Sequence, residues 1–218
     1  MEANSRFVCS NQNGIHNKLQ ETVSKYLNSE CRRPYAAHTR QAFEHAQGFV
    51  TEVARPVILD ACCGTAQSTL HLALTHPEHC VIGVDKSLAR LQKNSTTPAN
   101  MLLLQADLLD FYRLAAAAGW QLDKHFLLYP NPWPKSSHLK RRWHAMPSFP
   151  AMLQLGGELE VRSNWQIYIE EFVEALRLAG FSSRTETFTP TQPITAFERK
   201  YLNSGHRFWR CRAQLWPA

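Results

Sequence analysis

The 218-residue sequence has no run approaching the roughly 18 uninterrupted apolar residues of a membrane span. Its start, Met1 to Arg6, lacks the basic-then-apolar pattern of a secretory signal. No C-x-x-C pair occurs. The six cysteines are Cys9, Cys31, Cys62, Cys63, Cys80 and Cys211, and this spacing supports neither a disulfide framework nor a zinc cage. These absences predict a cytoplasmic chain with reduced thiols, no membrane attachment and no metal. Glycine is also scarce where a dinucleotide would need it. The turn Asp60-Ala-Cys-Cys-Gly-Thr-Ala66 carries only Gly64, so the G-x-G-x-x-G pyrophosphate fingerprint is unmatched.

What is present leans basic. Lys and Arg number 24 against 18 Asp and Glu, a formal charge of +6. The cations are bunched: Lys135, Lys140, Arg141 and Arg142 in one group, Arg199, Lys200, Arg207, Arg210 and Arg212 in another, and Arg32, Arg33 and Arg40 near the start. Such clusters suit a polyanionic partner through counterion release, and equally suit solvated faces.

Periodicity divides the chain into a polar, irregular arm over residues 1–35 and a single domain over 36–218. An amphipathic helix is expected from Ala36 to Val53. Strands are expected at 57–61, 80–85, 101–106, 125–129 and 158–163, with helices at 68–76, 87–94, 108–118 and 165–179. Gly119 and Gly180 should stop the last two helices. A basic helix should begin near Ser136, and residues 206–216 alternate as a closing antiparallel strand. Strands alternating with helices imply an α/β fold with a mostly parallel, doubly wound sheet.

In such sheets ligands gather at the carboxyl ends of strands. Asp60, Asp85 and Asp107 end the first three strands. Asp85 stands where an acid takes ribose hydroxyls, and Asp107 where one accepts from an adenine amine. Each could also be a helix cap. The fourth strand runs into Tyr129-Pro-Asn-Pro-Trp-Pro-Lys135, where prolines aim Asn131 beside an aromatic ring and a basic segment. That combination suits a nucleobase carrying phosphates. A proline-rich loop before a solvated helix fits the same composition.

Four blocks together resemble the tRNA (guanine-N7) methyltransferase family, of Rossmann-like class I methyltransferase fold. They are Leu59-Asp-Ala-Cys-Cys-Gly64, the segment from Pro130 to Arg142, Ser163-Asn-Trp-Gln-Ile-Tyr-Ile-Glu170, and Thr195 to Lys200 with Gly205-His-Arg-Phe-Trp209. The resemblance implies S-adenosylmethionine as cofactor and tRNA as partner. It implies a cofactor site of Asp60, Cys62, Gly64, Asp85, Lys86, Asp107, Leu108 and Asn131. It further implies catalytic positions at Asn131 and Asn164, and substrate contacts at Lys135, Lys140, Arg141, Arg142, Asn164, Thr195 and Glu198. Trp133 would either stack on the base or serve the core. The sequence departs from the family at Asn131 and Asn164, where the family has aspartate. Asn131-Pro-Trp also resembles the Asn-Pro-Pro-aromatic motif of amino-group methyltransferases, and a silent RNA-binding relative is a third reading.

Overall fold

The computed structural model describes residues 5–216. Seven strands form one sheet in the order β3-β2-β1-β4-β5-β7-β6. These are β1 (Val57–Ala61), β2 (Cys80–Asp85), β3 (Met101–Gln105), β4 (Leu122–Leu128), β5 (Glu158–Ser163), β6 (Glu186–Phe188) and β7 (Phe208–Gln214). Strands β1 to β5 are parallel, whereas β7 runs antiparallel to both β5 and β6. Strand order reverses beside β1, with β2 on one side and β4 on the other, which opens a crevice at the carboxyl ends.

Every residue of β1 and β2 is buried, because apolar side chains leave both faces of the sheet. Ile58, Val81 and Met101 pack with Leu72 and Ala73 of α3 (Gln67–Thr75) and Leu91 of α4 (Leu88–Leu91). Leu59, Ile82, Val84 and Leu104 face the opposite layer. That layer is built from α1 (Leu19–Leu27), α2 (Ala37–Val53), α5 (Leu108–Ala117), α6 (Phe149–Gln154) and α7 (Gln166–Leu178). The last helix, α8 (Ala196–Asn203), lies between β6 and β7 in sequence. Among the described residues no helix is long and apolar enough to cross a membrane.

The expected strands and the helices α2, α3, α5 and α7 lie within a few residues of their predicted limits. Gly119 and Gly180 end α5 and α7 with positive φ, as their position after each helix required. Other expectations need correction. The basic segment is not an α-helix but two 3-10 turns, Ser136–Arg141 and Trp143–Ala145, because Arg142 is drawn inward between them. The helix expected over 87–94 shortens to α4. Helices α6 and α8 and strand β6 were not legible in the periodicity. Helix α1 forms within the stretch read as irregular, burying Leu19, Thr22 and Val23.

Candidate functional site

A cavity of about 800 Å³ opens at the carboxyl ends of the strands. Its floor is made by the turns after β1, β2 and β3, and one wall by the proline-rich loop after β4. The far rim comes from α8 through Phe197 and Tyr201.

The turn after β1 is unusual in its backbone. Cys62, Gly64 and Ala66 all have φ near +60° (60°, 60° and 59°), a left-handed region that only Gly64 enters without steric cost. Two side-chain-bearing residues therefore hold strained positions in a loop against a ligand cavity, where such strain is commonly stored. Cys62→Gly should relax one of them and raise stability by roughly 0.5–1 kcal/mol. A rise in the urea midpoint at unchanged slope would register it. Burial and the charge of Asp85 push the Cys62 pKa up to about 12, which favours the protonated thiol at neutral pH.

Asp60 is fully buried and lies beneath the cavity rather than on its surface. Its Oδ2 accepts from Ser68 Oγ at 2.7 Å and Thr69 Oγ1 at 2.6 Å. Thr69 can come this close because Gly83, paired with Asp60 across the sheet, has no Cβ; one would stand 2.6 Å from Thr69 Oγ1. Among the described residues Asp60 Oδ1 has no hydrogen-bond partner. Burial raises the Asp60 pKa to about 6 despite the two hydroxyl donors.

Asp85 is the hub of the floor. Its Oδ2 accepts from Gly64 N at 3.0 Å, and its Oδ1 from Ser87 N at 2.8 Å and from the Arg90 guanidinium at 2.8 Å. Asp107 caps α5 through Leu109 N at 3.0 Å and also receives Arg33 at 3.2 Å on its other oxygen. Cap and cavity-lining residue are thus the same side chain. Lys86 and Leu108 line the cavity beside these carboxylates, whereas Gly64 acts from below through its amide. Arg90, which sequence reasoning passed over, and Arg33, read there only as one of a basic group, each cover one carboxylate. Arg90 pairs with an acid five residues before it, outside the i,i+3 and i,i+4 spacings by which a helix reveals its ion pairs.

The loop after β4 is locked from both ends. Tyr129 and Trp133 take positive φ of 51° and 47°, and Asn131 Oδ1 accepts from Trp133 N at 3.2 Å in a side-chain-closed turn. Asn131, Asn164, Trp133, Lys140 and Arg141 line the cavity, and Arg141 lies over the Trp133 ring at 4.7 Å. Lys135 is exposed at the loop's end but does not line the cavity.

Three further expected substrate contacts lie elsewhere. Arg142, grouped by sequence with phosphate-binding cations, is fully buried. It donates to Glu171 at 2.5 Å, to Gln12 Oε1 at 3.0 Å, and to the carbonyls of Trp133 (3.1 Å) and Lys135 (3.3 Å). Thr195 and Glu198, expected to close over a base, are turned inward. Thr195 caps α8 by accepting from Glu198 N, and Glu198 takes Tyr129 Oη, Arg162 and Ile194 N. Three of the roughly four acceptor sites of this carboxylate are thus taken by the protein itself.

Comparisons with known proteins agree with this architecture. Residues 54–211 match the family model described as "Putative methyltransferase". The tRNA (guanine-N(7)-)-methyltransferase of a Polaromonas species is 30% identical over 172 residues, 71% of this chain and 69% of its own length. The enzyme of the same name from Stutzerimonas stutzeri is 32% identical, over 69% of each chain. Among solved structures, the 16S rRNA methyltransferase KamB superposes with a TM-score of 0.60 at 16% identity, covering 84% of this chain and 94% of its own. At that identity the likeness speaks for the fold alone.

Proposed function

The chain belongs to the tRNA (guanine-N7)-methyltransferase family, and from that premise we propose that it transfers a methyl group from S-adenosylmethionine to guanine N7 in tRNA, in the cytoplasm. The observation that carries the proposal is the single cavity shared by the Asp85 and Asp107 carboxylates and the Pro130-Asn-Pro-Trp-Pro134 loop. It joins a floor of carboxylates at the strand ends to a wall carrying an amide, an aromatic ring and cations.

The residues fit the cofactor on two counts. Asp60 Oδ1 is a buried acceptor without a donor among the described residues, suited to an ammonium group or a water bridging to one. Asp85 and Asp107 present carboxylates at the second and third strand ends, suited to a ribose diol and an adenine amine. Asp85 Oδ1 already accepts two bonds, so binding both ribose hydroxyls requires Arg90 to swing off. S-adenosylmethionine supplies an electrophilic methyl on a sulfonium; the N7 lone pair forms the new bond as the carbon–sulfur bond breaks, leaving the sulfide. N7 carries no proton, so the chain needs no general base there. Its task is to hold the purine in line and to stabilise the positive charge that arrives on it. Asn131 and Asn164 face the cavity for that role, with Lys140 and Arg141 placed for phosphate.

Incubation with unmodified tRNA transcript and cofactor, followed by nucleoside mass spectrometry, should yield 7-methylguanosine. Methyl on an exocyclic amine instead would establish the amino-group alternative. Cofactor affinity should also depend on pH through Asp60. Its carboxylate loses charge below about 6, so attraction for the ammonium falls as pH drops from 7.5 to 5. Calorimetric titration with S-adenosylhomocysteine should record that fall, and Asp60→Asn should flatten it.

A further inference from the structure

Among the described residues, only three ring pairs are stacked, and they are consecutive; every other pair is tilted or edge-on. Phe7 lies over His206 at 4.5 Å and 18°, His206 over Tyr201 at 5.0 Å and 27°, and Tyr201 over Phe197 at 6.0 Å and 27°. We propose that these four rings form a platform on which unpaired RNA bases next to the acceptor nucleotide stack. The inference rests on the RNA-modifying reading above and names how the RNA is held.

The ladder is built by local geometry. Phe197 and Tyr201 are four residues apart and so share one face of α8. The helix then closes with Gly205 N to Leu202 O and His206 N to Tyr201 O, with Gly205 at φ +70°. That closure folds His206 back over Tyr201. The imidazole edge is fixed on both sides: Nδ1 accepts from Asn164 Nδ2 at 3.1 Å, and Nε2 donates to Ser5 O at 3.1 Å. Asn164 thereby ties the ladder to the cavity, whose rim includes Phe197 and Tyr201.

Both ends of the ladder are open. Phe7 is 66% and Phe197 46% exposed, two of the six large apolar side chains on the described surface that stand out in this way. Rings recruited only to fasten the N-terminal segment would be buried. Each neighbourhood also carries an exposed cation, Arg6 beside Phe7, Lys200 beside Tyr201 and Arg207 beside His206. Open end faces on Phe7 and Phe197, with exposed cations next to ladder residues in sequence, suit a single strand, whose bases stack while its phosphates pair.

The test is fluorescence anisotropy with labelled, unmodified tRNA transcript and the full chain. Phe7→Leu and Phe197→Leu keep apolar bulk but remove the flat face, and each should weaken binding about tenfold. Phe7→Trp should retain affinity. Affinity of the Phe7→Leu protein for S-adenosylhomocysteine, measured by calorimetry, should match the parent and so report an intact fold. Parent-like tRNA binding by both leucine variants would overturn the platform and leave the proposed function standing. Failure of the parent protein to bind tRNA would overturn both.

Discussion

Arg142→Ala should destabilise the fold by about 3–5 kcal/mol, the cost of leaving a buried charge without its partner. Glu171, also fully buried, would lose the Arg142 guanidinium and keep only His144 at 3.0 Å, Gln12 Nε2 at 2.5 Å and His16 N at 2.9 Å. Burial alone would push the Glu171 carboxyl upward. The His144 and Arg142 contacts outweigh it and hold the pKa at about 2. The folded pKa is depressed below its ordinary value of 4.5, so the stabilisation is complete above about 4.5 and fades as pH falls towards 2. Urea denaturation should therefore give a lower midpoint for the variant at pH 7, with the gap to the parent narrowing in acid. An unfolding free energy within about 0.5 kcal/mol of the parent at pH 7 would refute the assignment. Arg142 also fastens the carbonyls of Trp133 and Lys135 to α7 and to Gln12 of the N-terminal segment. The loop that aims Asn131 should loosen together with the fold.

The same residue marks where sequence reading stops. Strands, most helices and their glycine terminators follow from local periodicity and backbone preference, which a single chain displays directly. The strand-end aspartates were legible too, because their position depends only on where an apolar run ends. Arg142 was not. It sits among Lys140 and Arg141 in an evidently basic run, and only tertiary packing selects it as the one that turns inward to Glu171, 29 residues away. Glu198 misled in the same way, since its partners Tyr129 and Arg162 lie on other elements. Helix α8 escaped notice for a related reason. Its only fully buried residue is that glutamate, and Tyr201 and Leu202 pack only partly buried against the Leu128, Tyr129 and Phe208 cluster, so its apolar side is short and weakly marked. The left-handed positions of Cys62 and Ala66 were hidden by residue types that rarely adopt them.

Asn131→Asp should raise kcat for guanine-N7 transfer by on the order of 10²-fold, because an amide now stands where family members carry a carboxylate. The substitution is structurally conservative: Asn131 uses its oxygen to accept from Trp133 N, and a carboxylate oxygen accepts the same bond. What changes is charge. Positive charge passes from the sulfonium to the purine during transfer, and a carboxylate beside that path stabilises it more than an amide dipole can. The opposite result is equally informative. If the amide carbonyl steers the lone pair of an attacking amine, aspartate should abolish activity, and the amino-group reading would replace the N7 one. Asn164→Asp is a less clean probe. Asn164 donates through Nδ2 to His206 Nδ1, and a carboxylate oxygen there would face an acceptor unless the imidazole moved its proton. Single-turnover rates with saturating cofactor and tRNA, compared for parent and the Asn131 variant, therefore isolate the electrostatic contribution from any rearrangement of the aromatic ladder.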